Sequence, residues 1–203
     1  MRMAMPEVGS PLLASAAPLV VLAVGVTAIA ILGIWVMAVY NGLVSRRVRV
    51  QNSFAQIDVQ LRRRHDLVPN LVATVKGYAQ HEKETLELVV AARAKAVQAG
   101  DALRERVDGE TALTRSLGRL IAVAESYPEL KADRHYLELQ RELSLTEDRI
   151  AASRRFFNAN VHELNALRIE FPSNIVGGMF GFKEERFFEL DDSSERAAPS
   201  VRI

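Results

Sequence analysis

Two dipeptides in this chain invite a test for hydrolytic chemistry. His81-Glu82 and His162-Glu163 each begin the pattern H-E-x-x-H, in which two imidazoles four apart on a helix hold zinc beside a glutamate base. The second imidazole would fall at Thr85 and Ala166, so both patterns lack it. A site assembled from His65, His81, His135 and His162 on separate helices would make the chain a metal-dependent hydrolase. That is a remote alternative, because three ligands must converge. The chain has no cysteine, which removes thiolate ligands, thiol catalysis, disulfides and a lipidated N-terminal cysteine. No G-x-S-x-G elbow, Walker loop or dinucleotide fingerprint occurs. Gly177-Gly178 and Gly181 are too sparse for a phosphate cradle and are expected to permit a turn after Pro172. The expectation is therefore a protein that is not an enzyme, with no catalytic, cofactor-binding or metal-ligating residues and no cofactor.

The remaining polar residues have structural roles as their default. Asp58, Asp66, Glu82 and Glu163 are expected to pair with Arg62, Arg63 and Arg64 or with Arg154 and Arg155. Asn70, Asn158, Asn160 and Asn165 are less ordinary on long helices. Solvent exposure and buried register-setting bonds are both open for them. Basic and acidic residues number 26 and 25, so no broad basic field exists and nucleic acid is not an expected partner.

What positions these residues starts with a charge-free run from Val8 to Ser45. Its inner part, Leu19–Tyr40, would form a helix of roughly 33 Å, enough to cross the hydrocarbon core of a bilayer. Only a helix or a closed barrel satisfies its own backbone there, and one segment cannot close a barrel. Trp35 and Tyr40 suit the headgroup boundary, and Arg46, Arg47 and Arg49 follow directly. A cleaved signal peptide is the competing reading. Its apolar region would be about 7–15 residues and end at a small-residue cleavage site, whereas this run is longer and lacks a clear one. The arginine bias places the N-terminus outside and the main body in the cytoplasm, as a single-pass protein of the cell membrane.

Roughly 160 residues follow, suited to one domain with one core. Val50, Phe54, Ile57, Leu61 and Val68 form a helical stripe that continues from the anchor. Pro69 is expected to end that helix near Asp66, with Asp66 capping the next one. A second stripe runs Leu71, Val72, Val75, Ala79, Leu86, Val89, Val90 and Val97, with Gly77 weakening its middle and Gly100 as a left-handed cap. A polar connection around Ala99–Gly109 leads to a third helix carrying Leu113, Leu117, Leu120, Ile121 and Ala124, stopped by Ser126-Tyr127-Pro128. The fourth begins at Asp133 and repeats Tyr136, Leu143, Ile150, Phe157, Leu164 and Phe171 at sevens, with Pro172 ending it. Such a repeat could zip two chains into a coiled coil. Four amphipathic stretches joined by short loops favour an intramolecular bundle. The fold class is thus all-α: an antiparallel up-and-down four-helix bundle after one N-terminal transmembrane helix. The expected divisions are a leader (1–18), the transmembrane helix (19–40), the bundle (41–182) and a polar tail (183–203), disordered from Asp191 to Ile203.

Three of these stretches carry a family resemblance. NSFAQIDVQLRRRHDLVPNLVATVKGYAQHE (Asn52–Glu82), LIAVAESYPELKA (Leu120–Ala132) and FPSNIVGGMFGF (Phe171–Phe182) together resemble the LemA family. With the N-terminal span, the resemblance covers nearly the whole chain after Leu19. It implies a four-helix bundle on a membrane anchor with a short outward N-terminus, in a family with no established enzymatic activity. One branch of the family, in magnetosome-forming bacteria, is associated with building an intracellular membrane compartment. Nothing in these residues assigns the chain to that branch.

An even number of helices returns Phe171 to the end where the chain left the membrane. The segment there holds no charge but Phe171, Ile175, Val176, Met179, Phe180 and Phe182. Folding across the base with internal burial is the favoured expectation, since a large exposed apolar patch is unusual. Contact with lipid or with a neighbouring copy is the alternative. Arg46, Arg47 and Arg49 could each gain about 1 kcal/mol near anionic lipid. Arg62, Arg63 and Arg64 lie about 24 Å further along a straight helix, beyond a Debye length of about 8 Å. The expected function is a membrane-anchored, non-enzymatic helical scaffold or adaptor, with the lipid bilayer, protein partners and further copies of itself as partners. The alternative is a membrane-remodelling or compartment-organising protein that acts through oligomerisation and lipid contact.

Overall fold

The computed structural model describes residues 11–100 and 103–188, with side chains from Pro18. Helices make up nearly all of it, and no strand occurs among the described residues. They are α1 (Pro11–Tyr78), α2 (Lys83–Gln98), α3 (Leu103–Ala124), α4 (Pro128–Ala132), α5 (Arg134–Ile169) and α6 (Ser173–Met179).

The expected break at Asp66–Pro69 does not occur, and Asp66 caps nothing. Helix α1 runs for 68 residues through Pro18 and Pro69. Proline has no N–H to give the carbonyl four residues back, which normally leaves that acceptor unpaired. Here Arg93 on α2 supplies the missing donor, its Nε reaching the His65 carbonyl at 2.7 Å. Val68 and Leu71, buried on either side, hold the two halves in one line. The chain turns only after Tyr78, so the first expected helix and the front of the second are a single rod.

Other boundaries shift for equally local reasons. Helix α2 ends at Gln98, where the Ala99 N–H bonds the Lys95 carbonyl, so Gly100 is not the left-handed cap. The expected connection up to Gly109 is already helical from Leu103. Gly109 lies inside α3 because α2 passes close by: a Cβ there would sit 3.0 Å from Ala96 Cα. Asp133 does cap α5, accepting from the Tyr136 N–H at 2.8 Å, and α5 stops ahead of Pro172. Gly177 and Gly178 belong to α6, and the left-handed turn falls to Gly181 at φ 68°.

Cross-links give the relative directions. Arg49 meets Glu163 and Arg63 meets Glu142, so α5 runs against α1. Arg106 on α3 meets Asp58 and Glu110 meets Arg64, so α3 runs with α1. The seven-residue stripe of α5 is spent inside the chain: Tyr136, Leu143, Ile150, Phe157 and Leu164 are all buried. Two apolar cores result. The upper one joins Val68, Leu71 and Val75 to Val89, Leu113, Leu117, Leu120, Leu130 and Tyr136. The lower one joins Leu43, Val50, Ile57 and Leu61 to Ile150, Phe157, Val161, Leu164, Val176 and Phe188.

After α6 the chain turns back along α5. Asn165 exchanges two hydrogen bonds with the Glu185 backbone (2.8 and 3.0 Å), and Asn158 does the same with Phe188 (3.2 and 2.8 Å). Each amide thus acts as a strand partner would, and Phe188 is buried. Asn160 is buried as well but bonds only its own helix, at the Phe156 carbonyl. The leader residues 1–10 and residues 189–203, which include the Asp191–Ile203 stretch, lie outside the described residues.

Candidate functional site

A polar layer separates the two cores, and every long helix contributes to it. Arg64 lies in phase with Ile57, Leu61, Val68 and Leu71 on α1, where an apolar residue is expected, and is almost wholly buried. Its guanidinium pairs with Glu110 on α3 and Glu147 on α5, and donates to Thr114 Oγ1 at 3.0 Å. His65 Nε2 lies 2.9 Å from the second Glu110 oxygen. Burial works to raise the Glu110 pKa. The hydrogen bond with His65 and the charges of Arg64 and His65 outweigh it and hold the carboxyl below its ordinary value.

Asp58, Arg62, His65, Arg106 and Glu110 line a cleft of about 180 Å³ beside this layer. Its chemistry is self-contained. Glu110 is taken up by Arg64 and His65, Asp58 is taken up by Arg106 and Arg62, and no lining residue is a serine, threonine or cysteine. Among the described residues no three of His, Cys, Asp and Glu converge as a metal would require. His81, His135 and His162 are exposed, whereas His65 is buried against Glu110. The layer ties α1 to α3 and α5 through the Arg64 pairs, and to α2 through the bond from Arg93 to the His65 carbonyl.

Of the expected ion pairs, Asp58 with Arg62 forms, whereas Glu163 pairs with Arg49 instead of the arginines named for it. Arg64 is ion-paired as expected but buried, with partners Glu110 and Glu147 that the sequence did not single out, as it did not single out Arg93. The usable signal was a polar or charged residue in phase with an apolar stripe. Arg64, Glu110 and Thr146 all occupy such positions.

The base carries the other concentration of unusual residues. From Leu19 to Met37, α1 exposes one large apolar side chain after another, and its most apolar window, of mean hydropathy 2.7, is covered by nothing else among the described residues. Trp35, Val36 and Val39 are half-buried against the lower core. Tyr40 stacks on Phe180 at 4.7 Å and meets Phe182 edge-on at 6.0 Å. Arg47 lies 5.7 Å over the Phe182 ring, Arg46 reaches back toward the Gly42 carbonyl, and Arg49 pairs with Glu163.

Helix α6 splits the apolar segment between two faces. Ser173, Val176 and Gly177 point inward, with Gly177 seated against the Arg168 carbonyl, and Phe182 is half-buried. Phe171, Ile175, Met179 and Phe180 stay exposed at 81, 54, 73 and 51%. Internal burial of the whole segment is therefore not what the chain does.

The LemA family profile matches residues 53–203. The chain belongs to the LemA family. Protein LemA of Metamycoplasma hominis is 28% identical over 152 residues, which is 75% of this chain and 69% of that protein. Magnetosome protein MamQ 2 of Paramagnetospirillum magneticum is 27% identical over 175 residues, covering 74% of this chain and 64% of the relative. Magnetosome protein MamQ of Magnetospirillum gryphiswaldense is 25% identical, with 73% and 64% covered. The chain thus spans just under two thirds of these magnetosome relatives. The LemA family match contains the polar layer and α6 but begins after the apolar stem. None of these names states a reaction.

Proposed function

We propose that this LemA family protein is a single-pass, membrane-anchored, non-enzymatic scaffold that works through protein contacts at the membrane surface. The observation that carries this reading is the continuity of α1, in which one helix supplies both the uncovered apolar stem and the spine of the folded body. A stem so joined presents the body at a fixed height and angle. A flexible tether would not, and fixed presentation is what an adaptor needs. The body itself is an antiparallel up-and-down four-helix bundle, with α1 leaving the base, α2 returning, α3 leaving and α5 returning. Arg46, Arg47 and Arg49 beyond the stem favour a cytoplasmic body and an outer N-terminus.

A second reading is supported by the exposed apolar face of α6 and by the relatives named as magnetosome proteins. In it, clustered copies organise the membrane itself through lipid contact.

Alkaline extraction of cell membranes tests the anchor. The full chain stays with the lipid pellet, and a chain starting at Asn41 is released. Release of the full chain would overturn the reading. Crosslinking in native membranes then separates the two functions: recovered neighbours of other sequence support the adaptor, and ladders of this chain alone support the organiser.

A further inference from the structure

We infer that α6 is a second, peripheral lipid contact: a short foot whose outer face lies in the headgroup–acyl boundary beside the stem. The inference rests on the anchoring reading above.

Depth is the first argument. Phe180 stacks on Tyr40, the last residue of the apolar run, and Val176 belongs to the same core that packs on Trp35, Val36 and Val39. The body therefore reaches down alongside the final turns of the stem. With Leu19–Tyr40 spanning a hydrocarbon core of about 30 Å, Trp35 to Tyr40 falls at one boundary, and α6 is fixed at that level.

Chemistry is the second. Ile175 and Met179 are one turn apart on the face opposite buried Ser173 and Gly177, and Phe171 and Phe180 flank them. From Phe171 to Phe182 there is no charged side chain, so neither face of α6 is built for bulk water. The cations stand just above, with Arg47 over the Phe182 ring and Arg46 beside Gly42, at the height of lipid phosphates. Apolar groups below and guanidiniums above match the layering of a membrane surface. The patch meets the stem where Phe180 packs on Tyr40, so one lipid phase reaches both.

The chain has no cysteine, so one substitution carries one spin label. Full-length protein in anionic bilayers is labelled in turn at Met179→Cys, Phe171→Cys and, inside the stem, Leu32→Cys. Collisions with oxygen, which concentrates in lipid, are compared with collisions with a water-soluble nickel chelate. The Met179 and Phe171 labels should favour oxygen and report a depth within about 5–10 Å of the boundary, with a Glu184→Cys label favouring nickel. A Leu32 label that favours nickel defeats the anchor itself. A Leu32 label in lipid with Met179 and Phe171 in water overturns the foot alone. So does protection of those two from both reagents, as contact with a second copy would give. Because two exposed positions are read separately, local misfolding at one does not decide the result.

Discussion

The two short helices, α4 and α6, do similar jobs at opposite ends and solve them differently. Helix α4 opens on Pro128 and α6 follows Pro172, and each closes one end of the helical body. At the far end, α4 sinks Leu130 completely, turns Glu129 and Lys131 to solvent, and covers a core that includes buried Tyr136. At the base, α6 buries Ser173, Val176 and Gly177 and leaves Ile175 and Met179 outside, with Phe171 and Phe180 beside them. Both lids are driven by apolar burial, but one finishes the task within the chain. The other needs something else to cover it, at the end where the uncovered stem leaves. Other exposed apolar side chains of the body, such as Val59, Val90 and Phe156, lie on separate helices, whereas here four are gathered on one short segment.

The polar layer midway lets each end be perturbed against a common reference, and it gives the largest expected effect. Arg64→Ala would leave Glu110 charged and buried without its partner, a loss of about 3–5 kcal/mol. Joint replacement, Arg64→Met with Glu110→Met, should recover most of it. Denaturant midpoints of the full chain in nanodiscs read both. A mild single variant would place the layer on the surface and dissolve the division into two cores.

The lids themselves should differ next. Leu130→Ala removes a fully enclosed side chain and costs about 2–5 kcal/mol, whereas Ile175→Ala leaves no cavity within the chain and should cost clearly less, about 1 kcal/mol or under. Equal losses at the two sites, by the same midpoints, would erase the contrast between the ends.

The smallest effect is in pH. The Glu110 carboxyl is held below its ordinary value, so the folded state resists the proton that the unfolded state accepts. Its contribution is therefore complete above about pH 4.5 and is lost as pH falls through the folded value. Glu110→Gln should flatten that part of the stability profile. An unchanged acid limb in the variant would move the acid sensitivity elsewhere.

Much of this was legible beforehand because stripes and caps are local. The anchor run, the α5 repeat, the Asp133 cap and the stop at Pro172 all follow from neighbouring residues. Pro69 misled because its cost is met by Arg93, a donor 24 positions away that only the folded arrangement brings near. Arg64 misled similarly: its position in the stripe was readable, but its partners on α3 and α5 were not. For α6, composition alone could not decide between burial and exposure. The answer depended on which face Gly177 lets settle against Arg168.

The central claim is that stem and body share one unbroken rod across the membrane boundary. Spin labels at Met37→Cys and Val59→Cys, both exposed on α1, bracket that boundary. In lipid bilayers, pulsed electron–electron resonance should return a single narrow distance near about 33 Å. A broad, shorter or divided distribution would reveal a hinge and contradict the account.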